Sequence, residues 1–463
     1  MRIDLMIAVL IGLAGGTLAM MTAGADRFTG PLCGAGTGAL IILIAHARCV
    51  SPGAGLLWGM AVALLAWIIG PVWLIESCSS SVCTSANTSA HVPLLTAYLL
   101  QMGLPIGLVV GIRARLRQSP PPRSVRESWS RTLVVGLTCG ILGTALFSLL
   151  GVGPSMDPVR KLFPEGMPGR IISLLQYPAG AAFGALFGLL FQRDLRGLGS
   201  TAGWGFAYGI LWWFLVPHTL VPALTGKALP WSNDLTAADY PNLVSHALLG
   251  LFVGLAYAIT DRAWVTFFHD SDPLTREFRG PGPQLLRIAG SGAKAGFIGG
   301  LLALGPMAAT GILPYVARLI GAESEWVGAP VHLTIATVFG ALYGLLYHDE
   351  APDTGMAFGW GMFYGLMLWF VGQLSIFSWL LGHHFSWSIE DVGTSLPSLV
   401  SHLVFGCTTG LIFALLERRY HRVDPLVRIS RRQQEAMRGY GTPAPALWLV
   451  AIMIGVLFPI LVG

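Results

Sequence analysis

The sequence predicts an all-α, polytopic integral membrane bundle of about 13 transmembrane helices, organised as three tandem four-helix modules in a pseudo-threefold arrangement plus a C-terminal helix. Three observations predict it: the composition, the number of long apolar stretches and an internal repeat. Hydrophobic residues make up 54 % of 463 positions and charged residues only 11 %, and the mean hydropathy is +0.66. A soluble domain carries about 25 % charged residues. Glycine, at 59 residues, is nearly twice its usual share of about 7 %, which suits closely packed membrane helices.

Apolar stretches long enough for a hydrocarbon core of about 30 Å, at about 1.5 Å per residue, run over 5–22, 32–48, 56–75 and 92–112 in the first module, residues 1–117. The second module, 130–265, holds 132–152, 171–191, 203–222 and 242–260. The third, 286–420, holds 287–309, 329–347, 356–381 and 397–416. A basic connector over 421–444 leads to the final helix within 445–463. The first stretch also fits a signal peptide, with Arg2 ahead of an apolar run ending at Ala23-Gly24-Ala25. Its Gly16-Thr17 step recurs as Gly143-Thr144, which favours a retained helix.

The repeat relates the second and third modules by a shift of 156 without a gap: Trp204 falls on Trp360, Tyr208 on Tyr364, Trp213 on Trp369, and Ser245-His246 on Ser401-His402. A shift of 146 brings in the first module more weakly, with Trp58 on Trp204 and Trp67 on Trp213. Positive residues mark the cytoplasmic side. With the N-terminus inside, the inner segments hold 21 of the 28 Lys and Arg and the outer ones 6. This predicts a cytoplasmic N-terminus and an external C-terminus; a cell inner membrane is the expected location. The basic residues lie between apolar runs, so the lipid bilayer and further membrane subunits are the expected partners, with no nucleic acid.

Glycines recur four apart on single helix faces, for example Gly180 with Gly184 and Gly188, and Gly250 with Gly254. Polar residues head these ladders: His246, His402, His332 and Gln176. Together with His218 they form the candidate polar or ligand site, on the outer side, where seven of the eleven histidines fall. Histidines there can hold haem or a transition metal, relay protons, or simply pack by hydrogen bonds. Trp67, Trp213, Trp369 and Lys294 are candidates to line a cavity. Trp58, Trp204 and Trp360 read as boundary anchors. Cys78 and Cys83 in an outer loop could close a short disulfide. No catalytic motif is present.

The pattern from His332 to Gly340-Ala341-Leu342-Tyr343-Gly344, the run Gly359 to Phe370, and Ser401-His402-Leu403-Val404-Phe405-Gly406 resemble the uncharacterised YagU-type bacterial inner-membrane family. That resemblance implies a four-helix inner-membrane unit with a recurring histidine. Two function classes follow from the whole reading. One is a transporter or channel for a small solute, proton or gas. The other is a non-transporting membrane subunit that binds haem or metal for electron transfer, or scaffolds a partner complex.

Overall fold

A computed structural model describes residues 2–23, 29–70, 94–117, 128–164, 167–195, 197–226, 237–268, 281–348, 350, 354–381, 387–423 and 444–457. These are helices and their connections, with no strand among the described residues. Short helical turns aside, thirteen α-helices are named among the described residues, the first eight being α1 (Arg2–Ala23), α2 (Thr29–Ala45), α3 (Pro52–Trp67), α4 (Leu104–Arg117), α5 (Trp129–Leu149), α6 (Gly169–Phe191), α7 (Leu198–Leu215) and α8 (Tyr240–Phe268). The remaining five are α9 (Pro281–Ala309), α10 (Glu325–Tyr347), α11 (Thr354–Met367), α12 (Ile389–Val423) and α13 (Ala444–Ile452). Among the described residues, eleven helical stretches are long and apolar enough to cross a membrane, and two shorter apolar ones, Gly30–Ala45 and Ala444–Gly455, stand where the second and last spans are expected. The protein is thus a multi-pass membrane protein, and its many exposed Leu, Ile and Val side chains suit lipid rather than water.

Local signals start the helices as the sequence dictates. Ser51 precedes Pro52 and accepts from the Ala54 amide, and Ser128 accepts from the Arg131 amide, satisfying N–H groups that the first turn leaves open. Among the described residues, five helical stretches widen to π geometry. Ala97–Gly103 leads into α4, Val216–Leu220 follows α7, Leu368–Phe377 follows α11, and Met453–Leu457 follows α13. The helix after Trp67 takes the same form over 68–70.

Two compact units divide the chain. One comprises Met1–Leu195, Ala202–Asp261 and Leu447–Gly463, the other Arg196–Thr201 and Arg262–Ala446. In each, helices pair through glycine. A Cβ at Gly12 would strike the Gly34 carbonyl, one at Gly55 that of Gly107, one at Gly140 that of Gly180, and one at Gly205 that of Gly250. In the second unit a Cβ at Gly292 would strike the Gly340 carbonyl and one at Gly361 that of Gly406. Such backbone contact is how membrane helices gain van der Waals attraction where lipid removes the hydrophobic drive between them.

Further ties join these pairs. In the first unit Ser51 Oγ donates to Asp194 and the Phe191 ring lies where a Cβ on Gly53 would stand. Within the second unit Ser200 Oγ donates to Glu350 Oε1 at 2.8 Å, and Tyr347 lies against Gly199. At the start of α1, buried Asp4 receives Arg113 Nε at 2.7 Å, Arg117, and His46 Nε2 at 3.1 Å. None of these acid partners stands out in the sequence.

The tryptophans expected as boundary anchors are buried instead: Trp58, Trp204 and Trp360 are each at most 2 % exposed. Aromatic packing explains it. Trp204 lies 5.2 Å from Phe191, Trp360 lies 5.5 Å from Tyr347 and 5.8 Å from Phe363, and the Arg48 guanidinium covers Trp58.

Candidate solute-binding cavity

The cavity forms because α5 stops early. Gly151 takes a left-handed φ of 67°, and the amides of Gly151 and Val152 bond back to Ser148 and Phe147 at 3.2 and 3.1 Å, a glycine-dependent helix stop. The chain then passes over the ends of the helices, through the short helix Asp157–Arg160, and is tied to α8 by the Ser155 amide donating to Asn242 Oδ1 at 3.0 Å. Under this roof lies a cavity of about 150 Å³. Gln176, Gly180 and Phe183 line it from α6, Trp212 from α7, and His246 and Leu249 from α8. Ser148, Ser155 and Ala179 are exposed at its rim, while Thr144, Phe147, Gly180 and Leu249 are buried deeper. An apolar cavity of that size takes a molecule about as large as benzene.

Its polar groups are few. Gln176 Nε2 donates to Ser148 Oγ at 3.2 Å. His246 Nδ1 lies 2.8 Å from the Asn242 carbonyl, and since a carbonyl can only accept, that geometry assigns the proton to Nδ1. Asn242 is the hub of the site. Its carbonyl orients His246, its Oδ1 holds the roof, and its Nδ2 donates to Asp239 Oδ2 at 3.3 Å.

Asp239 gathers a second cluster beside the cavity. Trp213 Nε1 donates to its Oδ2 at 2.7 Å and His218 Nε2 at 2.9 Å, with the Trp213 and His218 rings 4.6 Å apart. The π turn at Val216–Leu220 brings His218 to this place, and its looser winding is marked by Thr219 Oγ1 bonding the Phe214 carbonyl five residues back. Burial alone would raise the Asp239 carboxyl, but the hydrogen bond and positive charge of His218, then the bonds from Trp213 and Asn242, outweigh it and hold it below the usual carboxylate range.

Of the residues singled out in the sequence, the cavity takes in His246 and Gln176; Trp213 and His218 form the adjoining cluster. His332 and His402 lie in the second unit, where His332 Nε2 donates to the Gly300 carbonyl at 3.2 Å and His402 Nδ1 to the Ser398 carbonyl at 2.8 Å. Trp67 and Trp369 are fully buried, and Trp369 Nε1 bonds Ser398 Oγ at 3.0 Å. Lys294 is exposed on α9. His91, His383, His384, Cys78, Cys83 and most of the basic connector lie outside the described residues. Among the described residues no three metal-ligating side chains converge. Sequence reasoning missed Asp239 and Asn242. Their signal was spacing alone, since Asn242 stands one helical turn before His246, as Ser398 stands before His402. The chain matches no protein-family model, no curated protein and no solved structure.

Proposed function

We propose that the protein is a transporter or channel for a small neutral solute and that the cavity beside His246 is where the solute is held. The observation that carries this reading is the cavity itself: mostly apolar walls, a few convergent polar groups and an exposed rim, the usual anatomy of a small-molecule site. Three tandem four-helix modules, an inner-membrane location and a cytoplasmic N-terminus belong to the same proposal, supported by the repeat and by the charge asymmetry of the connections. On that orientation the rim opens on the outer side.

The test is osmotic re-swelling of proteoliposomes in 1,2-propanediol. The protein should speed re-swelling over empty vesicles, and the double substitution Ser148→Leu with Ala179→Ile, which fills the rim, should remove most of the gain. Equal rates for both proteins would overturn transport through this cavity. Single cysteines at 160 and 193 test the orientation: external maleimide should label the first and spare the second.

A further inference from the structure

We infer that the cavity selects a hydrogen-bond donor, an alcohol or a neutral amine, over an acceptor-only molecule of the same shape. The inference rests on the reading of the cavity as a solute site and adds to it the chemical class of the solute. His246 carries the argument. The residue lines the cavity, and its Nδ1 is committed to the Asn242 carbonyl at 2.8 Å. That carbonyl belongs to the backbone of α8, so the helix itself fixes the acceptor in place.

An imidazole of ordinary pKa, about 6.5, is mostly uncharged at neutral pH. With the proton on Nδ1, its other nitrogen is a pure acceptor, and Nε2 has no hydrogen-bond partner among the described residues. Trp212 Nε1 can only donate, which serves an alcohol and a ketone alike. The hydroxyls of Thr144 and Ser148 donate or accept as needed, and Gln176 has one amide hydrogen engaged with Ser148. The lining group that tells the two kinds of solute apart is therefore the His246 acceptor. A solute bearing O–H or N–H completes it, whereas a ketone or ether displaces water from Nε2 and puts no donor in its place.

Cyclopentanol and cyclopentanone test this, since they share a ring and one oxygen and differ in the donor. Binding to the full-length protein in detergent is followed by ligand-observed NMR. The alcohol should bind about tenfold more tightly, the factor one ordinary hydrogen bond carries. That preference should fall to near parity in His246→Leu and persist in His402→Leu. Nitrogen NMR of histidine-labelled protein gives a reading independent of the variants. His246 should show the Nδ1–H tautomer, with an Nε2 resonance that moves with cyclopentanol and not with cyclopentanone. Equal affinity of both ligands for the unaltered protein, or an Nε2–H tautomer, overturns the donor selection while leaving a solute cavity. Failure of both ligands to bind, or binding that survives Ser148→Leu with Ala179→Ile, overturns the cavity reading itself.

Discussion

The α5–α8 and α9–α12 segments share a frame and differ in what the frame encloses. Equivalent bonds recur 156 positions apart. Tyr208 and Tyr364 donate to the Phe183 and Phe339 carbonyls, Arg131 pairs with Asp261 as Arg287 does with Glu417, and the histidines 246 and 402 bond the carbonyl one turn before them. At the helix ends the two diverge. The left-handed glycines that stop α5 and α9, Gly151 and Gly311, stand 160 positions apart, so α9 runs four residues further, one helical turn. Where the first segment has Ser148 and Ala179 at a cavity rim, the second has Leu304 and Ile335, packed with Met307, Leu313 and Val316 in an apolar cluster. Likewise Leu374 and Ser395 replace the His218 and Asp239 pair. One turn of helix and a few larger side chains thus turn a polar-edged cavity into a packed core.

The shared frame should show the largest effect. Gly250→Leu and Gly406→Leu each place a side chain against a carbonyl of the partner helix, Gly205 or Gly361, and each should cost about 3 kcal/mol by detergent unfolding, as overpacking a filled interface does. Equal losses would support one packing principle for both segments. A loss at one position alone would break the comparison.

A smaller effect tests the difference. Leu304→Ser with Ile335→Ala carries the cavity residues into the packed segment and should cost about 2 kcal/mol through lost burial and a new void. Ser148→Leu with Ala179→Ile should be close to neutral, because its side chains enter space already open. If the two exchanges cost the same, the packing contrast between segments is wrong.

The features legible in the sequence were those set by periodicity. Apolar run length placed the helices, and four-residue glycine spacing marked the faces that meet. His246 and Gln176 were found because they head those faces. Asp239 and Asn242 were not, since a short polar stretch before a helix reads as an ordinary connection. The cavity too was hidden, because it depends on where α5 ends, and a single Gly151 in a run of loop residues does not reveal that the equivalent stop in α9 falls a turn later. The anchoring role given to Trp58, Trp204 and Trp360 failed for a related reason: boundary position follows from sequence, but the aromatic neighbours that bury these rings are long-range partners.

The smallest expected effect concerns Asp239 and its uncharged counterpart Ser395. The Asp239 carboxyl is held below the usual carboxylate range by His218, Trp213 and Asn242, whereas in the unfolded chain it titrates near about 3.9. The folded state therefore binds that proton less readily than the unfolded state. This contribution to stability is fully present above the unfolded value and is lost as pH falls through the lower, folded one. At about pH 5 the thermal midpoint of the unaltered protein should accordingly exceed that of Asp239→Asn, and the margin should shrink below about pH 4. Other carboxylates titrate in the same range but are common to both proteins, so the difference isolates Asp239. Ser395→Ala offers the control from the other segment. Trp369 Nε1 bonds the Ser395 backbone carbonyl, which the substitution keeps, so its effect should be slight and independent of pH. A margin for Asp239→Asn that stays constant to pH 3 would mean that its partners hold the carboxyl no better than water does, and that the cluster beside the cavity is packing alone.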